Sequence, residues 1–286
     1  MATRWPPRII YNDDTCTLRT APQPHTVDSI NVAIDYLKGT QVDCLCWCVG
    51  EQIAYAWPSK VIENIFELKD RGVKMFSIWK NNRDIMYSLY KQGIDYLPLF
   101  IERAHKQGLT FVASFRMNDT HIKSYPDSAL TPDYWRENQH LRIWDATDGK
   151  SYYNAALDYS FPEVRERYRA EILEVADWYD VDGIELDFTR SPYFFPPSEA
   201  WEKRDILTAF VRDLGKALDR IGNKRGRPLT LILRIACLPR ALTMAGVDAE
   251  EWIRQRLAPI LIVSELVNNF NTDISAWKAM CEKAGV

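Results

Sequence analysis

The sequence predicts an α/β chain built as a (β/α) barrel of the TIM type, cut short toward its C-terminal end, with six or seven of eight βα units. Three observations lead there. Short apolar runs alternate with helix-period segments along the chain, the pattern of βα units on a parallel sheet. The longer connections follow the C-terminal ends of strands, where such barrels carry their working loops. The first strand runs into Asn12-Asp13-Asp14, which holds no glycine, so a nucleotide-binding sheet with a phosphate turn is disfavoured. A chain of 286 residues suffices for one such domain, spanning 1–286, with a sizeable core.

The elements follow in order. Residues 8–14 read as a first strand. Thr26 is set to cap a helix with apolar positions Val27, Ile30, Ile34 and Leu37. Residues 42–49 form the second strand, and the helix after Trp57-Pro58-Ser59 ends at Gly72. Residues 73–79 fit a short strand or a loop. Residues 84–92 and 97–107 are helical, with Gly108 as the stop. Residues 109–116 are a strand entering a long polar and aromatic loop, 122–159, of the kind that usually serves function.

Ser160-Phe161-Pro162-Glu163 has the spacing of a capping box, opening a helix with the stripe Val164, Tyr168, Ile172, Val175 and Tyr179. The strand Val181 to Phe188 comes next, then an aromatic-proline loop at 192–197. A helix from about Glu199 carries Ile206, Phe210, Leu214, Leu218 and Ile221, and Gly222 is its expected stop. Residues 229–235 form a strand, 249–257 a short helix, and 259–265 a further strand. Asp273 caps the last helix. Residues 283–286 look like a helix end just before another strand. That leaves six firm strands and one doubtful one, with open sheet edges that a homo-oligomer would cover.

Composition narrows the function classes. The chain is 47% hydrophobic and 26% charged with net charge −3, an ordinary globular balance that gives no reason to expect a nucleic-acid partner. No apolar run reaches membrane-spanning length, so no membrane partner is expected. Residues 1–8 lack an apolar signal core; the chain as given reads as cytoplasmic, or as secreted or periplasmic if a signal has been removed. Cys44, Cys46 and Cys48 share one strand face. That is poor zinc geometry, so they are expected as small buried side chains against helices, and no metal or cofactor is expected.

The chemistry gathers on the strand Asp182-Gly183-Ile184-Glu185-Leu186-Asp187-Phe188-Thr189-Arg190. Alternation sends Glu185 and Asp187 to one face and Ile184, Leu186 and Phe188 to the other. Asp187 lies at the C-terminal lip, where a carboxylate can attack an anomeric carbon or stabilise the positive charge of a breaking glycosidic bond. Its bland counterpart is an aspartate that orients Arg190 or caps a loop. Glu185 sits a layer deeper and is the better ion-pair partner for Arg116 or Arg234. Glycosidic cleavage needs a second carboxyl group. Glu265, two strands further round, leads the candidates, with Asp119 in reserve and Asp13 and Asp14 behind. Arg116, Asn118, His121, Glu185, Arg190, Arg234, Tyr11 and Tyr193 are candidate substrate-binding residues, and Trp47, Trp144, Phe194 and Phe195 candidate stacking platforms. A metal-dependent variant, with Asp13, Asp119, His121 and Asp187 converging, is an alternative to that metal-free expectation.

Three blocks carry a resemblance: 114–121 (SFRMNDTH), 157–164 (LDYSFPEV) and 182–190 (DGIELDFTR). Together they resemble the bacterial glycosyl hydrolase-like family 10 over most of the chain from about Arg8 to Glu265. The resemblance implies a TIM-type barrel acting on carbohydrate. The third block is also distantly similar to the D-G-x-D-x-D-x-E strand of family 18 chitinases, but Thr189 stands where that pattern has its proton-donating Glu. Alpha-galactosidase-like barrels resemble it in placing an Asp on strand four and an acid on strand six, which Asp187 and Glu265 would match. The expectation is hydrolysis of an oligo- or polysaccharide. Its rivals are a carbohydrate-binding or degenerate barrel without turnover, and a lyase or isomerase acting on an anionic sugar through His121 and the arginines.

Overall fold

The computed structural model describes residues 6–50, 57–73, 80–124, 126–129, 131–143, 152–264 and 272–286. Within them six strands form one sheet in the order of the chain, every neighbouring pair parallel. They are β1 (Ile10–Asp13), β2 (Cys44–Gly50), β3 (Thr110–Arg116), β4 (Gly183–Asp187), β5 (Thr230–Ala236) and β6 (Ile260–Ser264). The helices are α1 (Val27–Ile30), α2 (Val32–Asp35), α3 (Ile65–Asp70), α4 (Lys80–Lys91), α5 (Tyr96–Lys106), α6 (Asp133–Glu137), α7 (Pro162–Trp178), α8 (Arg204–Arg225), α9 (Pro239–Ala245), α10 (Ala249–Arg254) and α11 (Ser275–Ala284). The result is a parallel half-barrel. The doubtful strand at 73–79 falls almost wholly outside the described residues.

Side-chain alternation divides the sheet into two faces. Leu45, Trp47, Phe111, Ala113, Phe115, Ile184, Leu186, Leu231, Leu233 and Ile235 belong to the large core shared with the helices. Cys44, Cys46, Val112 and Ile232 form a second, small cluster on the concave face, with Ile10, Ile260 and Ile262 against it. The cysteines therefore face the inside of the half-barrel, not the helices as expected from sequence. Cys46 stays a thiol: its hydrogen bond with Cys44, burial and the charge of Glu185 all raise its pKa.

Two glycines explain how closely the layers approach. A Cβ on Gly183 would stand 2.7 Å from the Thr230 carbonyl oxygen, so β4 meets β5 there only without a side chain. A Cβ on Gly222 would stand 2.9 Å from the Leu229 backbone nitrogen. Gly222 is thus not the stop of α8 but a close-packing residue inside it. The stop is Gly226, in the left-handed region at φ 72°.

Other local expectations changed for equally local reasons. Thr26 caps α1 in a reciprocal box with Ser29. The Ser160 box does not form: Phe161 is the N-cap of α7 and makes no side-chain cap. Ser160 instead gives its backbone N–H to Asp158 at 2.7 Å and accepts a bond from Lys203 at 2.8 Å. Helix α9 was not foreseen. Its Pro239 occupies the first turn, where a missing N–H costs nothing.

Candidate active site

Strand β4 brings two acidic residues to the concave face, and its neighbours supply the surroundings. Registered across the rim are Arg116 of β3, Asp187 of β4 and Arg234 of β5; one layer below lie Ser114, Glu185 and Ile232. The two layers are chemically different.

Glu185 is fully buried, and its oxygens are fully used. Oε1 accepts from Ser114 Oγ at 2.9 Å, Asn12 Nδ2 at 3.2 Å and Arg234 Nε at 3.2 Å, and Oε2 accepts from Arg234 Nη2 at 3.0 Å. This forked pair satisfies both oxygens of the buried carboxylate with charge-assisted bonds. Burial works against the charge on Arg234, but Glu185 and then Asp187 hold its proton more firmly than in a free arginine. Arg234, not Arg116, is the residue that reaches Glu185. Both members of the pair are spent on each other, so neither is placed to bind substrate through these groups. Asn12 and Ser114 were missed from the sequence, although the parity of β1 and β3 puts both on this face.

Asp187 is only partly buried. Its Oδ1 is fixed by the Thr189 N–H at 2.8 Å, Thr189 Oγ1 at 2.6 Å and, more weakly, the Arg190 N–H at 3.4 Å. Among the described residues no donor meets Oδ2. Burial raises the pKa of this carboxyl; Arg234 opposes the rise and Glu185 adds to it. Thr189, standing where a chitinase-like pattern has Glu, thus serves as the anchor of Asp187.

The β3 side of the rim is a bonded chain. Arg116 donates to Asp14 and, at 3.0 Å, to Asp119 Oδ2. Asp119 Oδ1 accepts the backbone N–H of His121 at 2.9 Å and is bonded by His121 Nδ1. Arg190 Nη2 lies 2.7 Å from His121 Nε2. A guanidinium only donates, so Nε2 is the acceptor in this contact, and the Nδ1 side of the ring faces Asp119. With Nε2 taken by Arg190 and Nδ1 turned to Asp119, His121 offers no open base for a lyase.

Asp119 is fully buried, yet its pKa falls to about 2, because the His121 hydrogen bond and the Arg116 charge outweigh the burial that would raise it. A carboxylate held ionised with both oxygens bonded cannot serve as the reserve proton donor. Asn118 is likewise structural. Its Nδ2 donates to the carbonyls of Leu157, at 2.8 Å, and Tyr193, and its Oδ1 accepts from the Leu157 N–H at 3.0 Å. It ties the loop after β3 to the loop after β4 and is not free for substrate. Tyr193 is half-buried beside it.

Several expected residues lie elsewhere. Tyr11 and Asp13 sit on the convex parity of β1. Tyr11 packs edge-on against Tyr36, and Asp13 accepts bonds from Thr17 at 2.7 Å and Tyr36 at 3.0 Å. Asp13, Asp119, His121 and Asp187 therefore do not converge, and among the described residues no His, Cys, Asp or Glu group is arranged to hold a metal. Trp47 is core, edge-on to Phe100, and Phe194 and Phe195 are sealed. Glu265 and Trp144 lie outside the described residues.

A parallel half-barrel with acids at the C-terminal rim of its strands defines an α/β protein of the TIM-barrel type. The chain belongs to the glycosyl hydrolase-like 10 family, whose model matches residues 28–212. It is similar to the glycosyl hydrolase DigH of Escherichia coli (strain K12), 24% identical over 199 residues, which is 66% of this chain and 40% of DigH. The alignment thus takes in about two fifths of the curated relatives' length. Among solved structures it is similar to the maltogenic alpha-amylase AmyB from Thermotoga neapolitana, with 15% identity and a TM-score of 0.46, over 87% of this chain and 50% of that one. It is also similar to a cycloisomaltooligosaccharide glucanotransferase from Paenibacillus sp., with 14% identity and a TM-score of 0.48, over 91% and 35% respectively. No helix among the described residues is long and apolar enough to cross a membrane.

Proposed function

We propose that this chain cleaves a glycosidic bond of an oligo- or polysaccharide, with Asp187 as the carboxyl group that acts at the rim. The observation that supports this is the state of Asp187: one oxygen is anchored by Thr189, and no described residue meets the other. A carboxyl whose pKa is raised by burial keeps its proton longer as pH rises, which suits the donor in glycoside cleavage. This shifts the emphasis from the nucleophile role expected from sequence to the acid role. Glu265, which directly follows the last residue of β6, is the proposed partner carboxylate. Arg190 and Tyr193 are the proposed substrate contacts that remain once the sealed groups are set aside.

The test is D187N assayed beside the wild type on a panel of plant, algal and bacterial polysaccharides. Loss of a general acid lowers turnover by about 10²–10⁴-fold. Turnover that stays at the wild-type level removes Asp187 from the mechanism. For a proton donor, the wild-type rate falls as pH rises through the raised pKa of Asp187; a nucleophile would show the opposite limb. Binding without turnover is the second reading, favoured by the sealing of Asp119, and calorimetry showing oligosaccharide uptake with no product would select it.

A further inference from the structure

The three arginines at the rim are not equivalent. Arg116 is met by two carboxylates, Asp14 and Asp119. Arg234 is met by the forked Glu185. Among the described residues Arg190 is met by no carboxylate: its side-chain bond goes to an imidazole, at 2.7 Å from His121 Nε2. Asp187, three residues away, takes the backbone N–H of Arg190 and not its guanidinium. Arg190 is half-buried, so its charge is partly removed from water without a counter-charge among the described residues.

Its position is also fixed by a chain of bonds. Arg116 holds Asp119, Asp119 holds the Nδ1 side of His121, and the other side of His121 holds Arg190. The loop bearing Arg190 is tied to the loop after β3 through Thr120 Oγ1 and Ser191 Oγ at 2.9 Å, and Ser191 adopts a left-handed φ of 53°. A guanidinium set in this way keeps its remaining N–H groups for a planar acceptor, and a carboxylate matches that fork with two parallel bonds. Pre-positioning lowers the ordering cost of binding.

We propose that Arg190 is the anion-recognising group of the rim and that the sugar bound over Asp187 carries a carboxylate. This rests on the carbohydrate reading above and narrows its substrate class to acidic oligosaccharides. His121 and Asp119 act through Arg190 as positioning residues.

The test compares oligogalacturonates and oligoglucuronates with their carboxyl-reduced counterparts, plus one sulfated oligosaccharide, by calorimetry at low and high salt. The proteins are the wild type, R190Q, R190K and D187N. The wild type is expected to bind at least one acidic ligand about tenfold or more tighter than its reduced partner, with the preference shrinking in high salt. R190Q collapses that ratio toward one, and R190K, which keeps the charge but loses the fork, retains only part of it. D187N keeps the ratio while turnover falls, which separates failure of the anion site from failure of the hydrolase reading. The absence of any acidic preference in the wild type overturns the proposal, as does a preference that survives in R190Q. Tighter binding of the sulfated ligand than of the carboxylates overturns the carboxylate assignment. Should R190Q fail to fold, R190K and the wild-type salt series decide between the same outcomes.

Discussion

Glu185 and Asp187 stand two residues apart on the same face of the same strand, and their surroundings are opposite. The deeper layer is closed: Glu185 has four donor contacts from Asn12, Ser114 and Arg234. The rim layer is open: Asp187 has one anchored oxygen and one that no described donor reaches. Burial with full pairing makes a strut, because moving either charge would strand the other. Burial with incomplete pairing makes a reactive group, because the proton is held but not locked. Two carboxylates of similar chemistry are thus assigned different work by their neighbours alone.

The largest effect that would break this contrast comes from exchanging the assays. D187N is expected to lower turnover by about 10²–10⁴-fold while the fold persists. It should also raise stability at neutral pH. Burial lifts the folded pKa of Asp187 above its unfolded value, so the native state binds more protons and loses stability as pH rises through that pKa. A denaturant midpoint for D187N that falls below the wild type at pH 8 would contradict the open-layer description.

E185Q is the mirror experiment. It removes the charge that balances Arg234 in a buried site, and a loss of about 3–5 kcal/mol is expected from urea unfolding. A variant that unfolds like the wild type would show that the lower layer is not a strut. A smaller effect sharpens how the rim is held. N118A strips bonds from the Leu157 N–H and from the Leu157 and Tyr193 carbonyls, and should cost about 1–3 kcal/mol. Turnover should fall with it as the two loops separate; intact turnover in a destabilised N118A would uncouple that tie from the site.

The smallest effect lies at the far end of β4, where His105 bonds Asp182 at 2.8 Å. The Asp182 hydrogen bond is the main cause of the raised pKa of His105, against opposing burial. Its stabilising contribution is complete below the unfolded histidine pKa and is lost as pH rises through the folded one. With the pair half open to water, less than about 1 kcal/mol is expected. H105Q should flatten the stability difference between pH 6 and pH 8, and an unaltered pH slope would assign that difference to other groups.

Much of this was legible in the sequence because strands and helices announce themselves locally. Alternation in 183–187 separates Glu185 and Asp187 from the core-facing Ile184 and Leu186. The parity of Tyr11, Asp13 and Trp47 was equally available. Their position near strand ends suggests the mouth, but face decides, and theirs is the convex one. Gly222 misled for a different reason. Its role comes from the backbone of Leu229, which approaches it only after the chain has turned back. Ser160 failed as a cap because Asp158 and Lys203 engage it, neither of which the four-residue spacing contains.

By itself the sequence determined the parallel α/β plan, the family, and which face of β4 carries its acids, because each depends on periods and motifs a few residues long. Tertiary structure decided which carboxylate is locked and which is open, that Asp119 and Asn118 are fastenings, and that Arg190 carries a charge no described acid balances. The locking of Glu185, the tie made by Asn118 and the seating of Arg190 depend on groups dozens to well over a hundred positions apart, such as Asn12 with Glu185 and His121 with Arg190. Only the register of the sheet and the paths of the loops bring such groups within bonding distance.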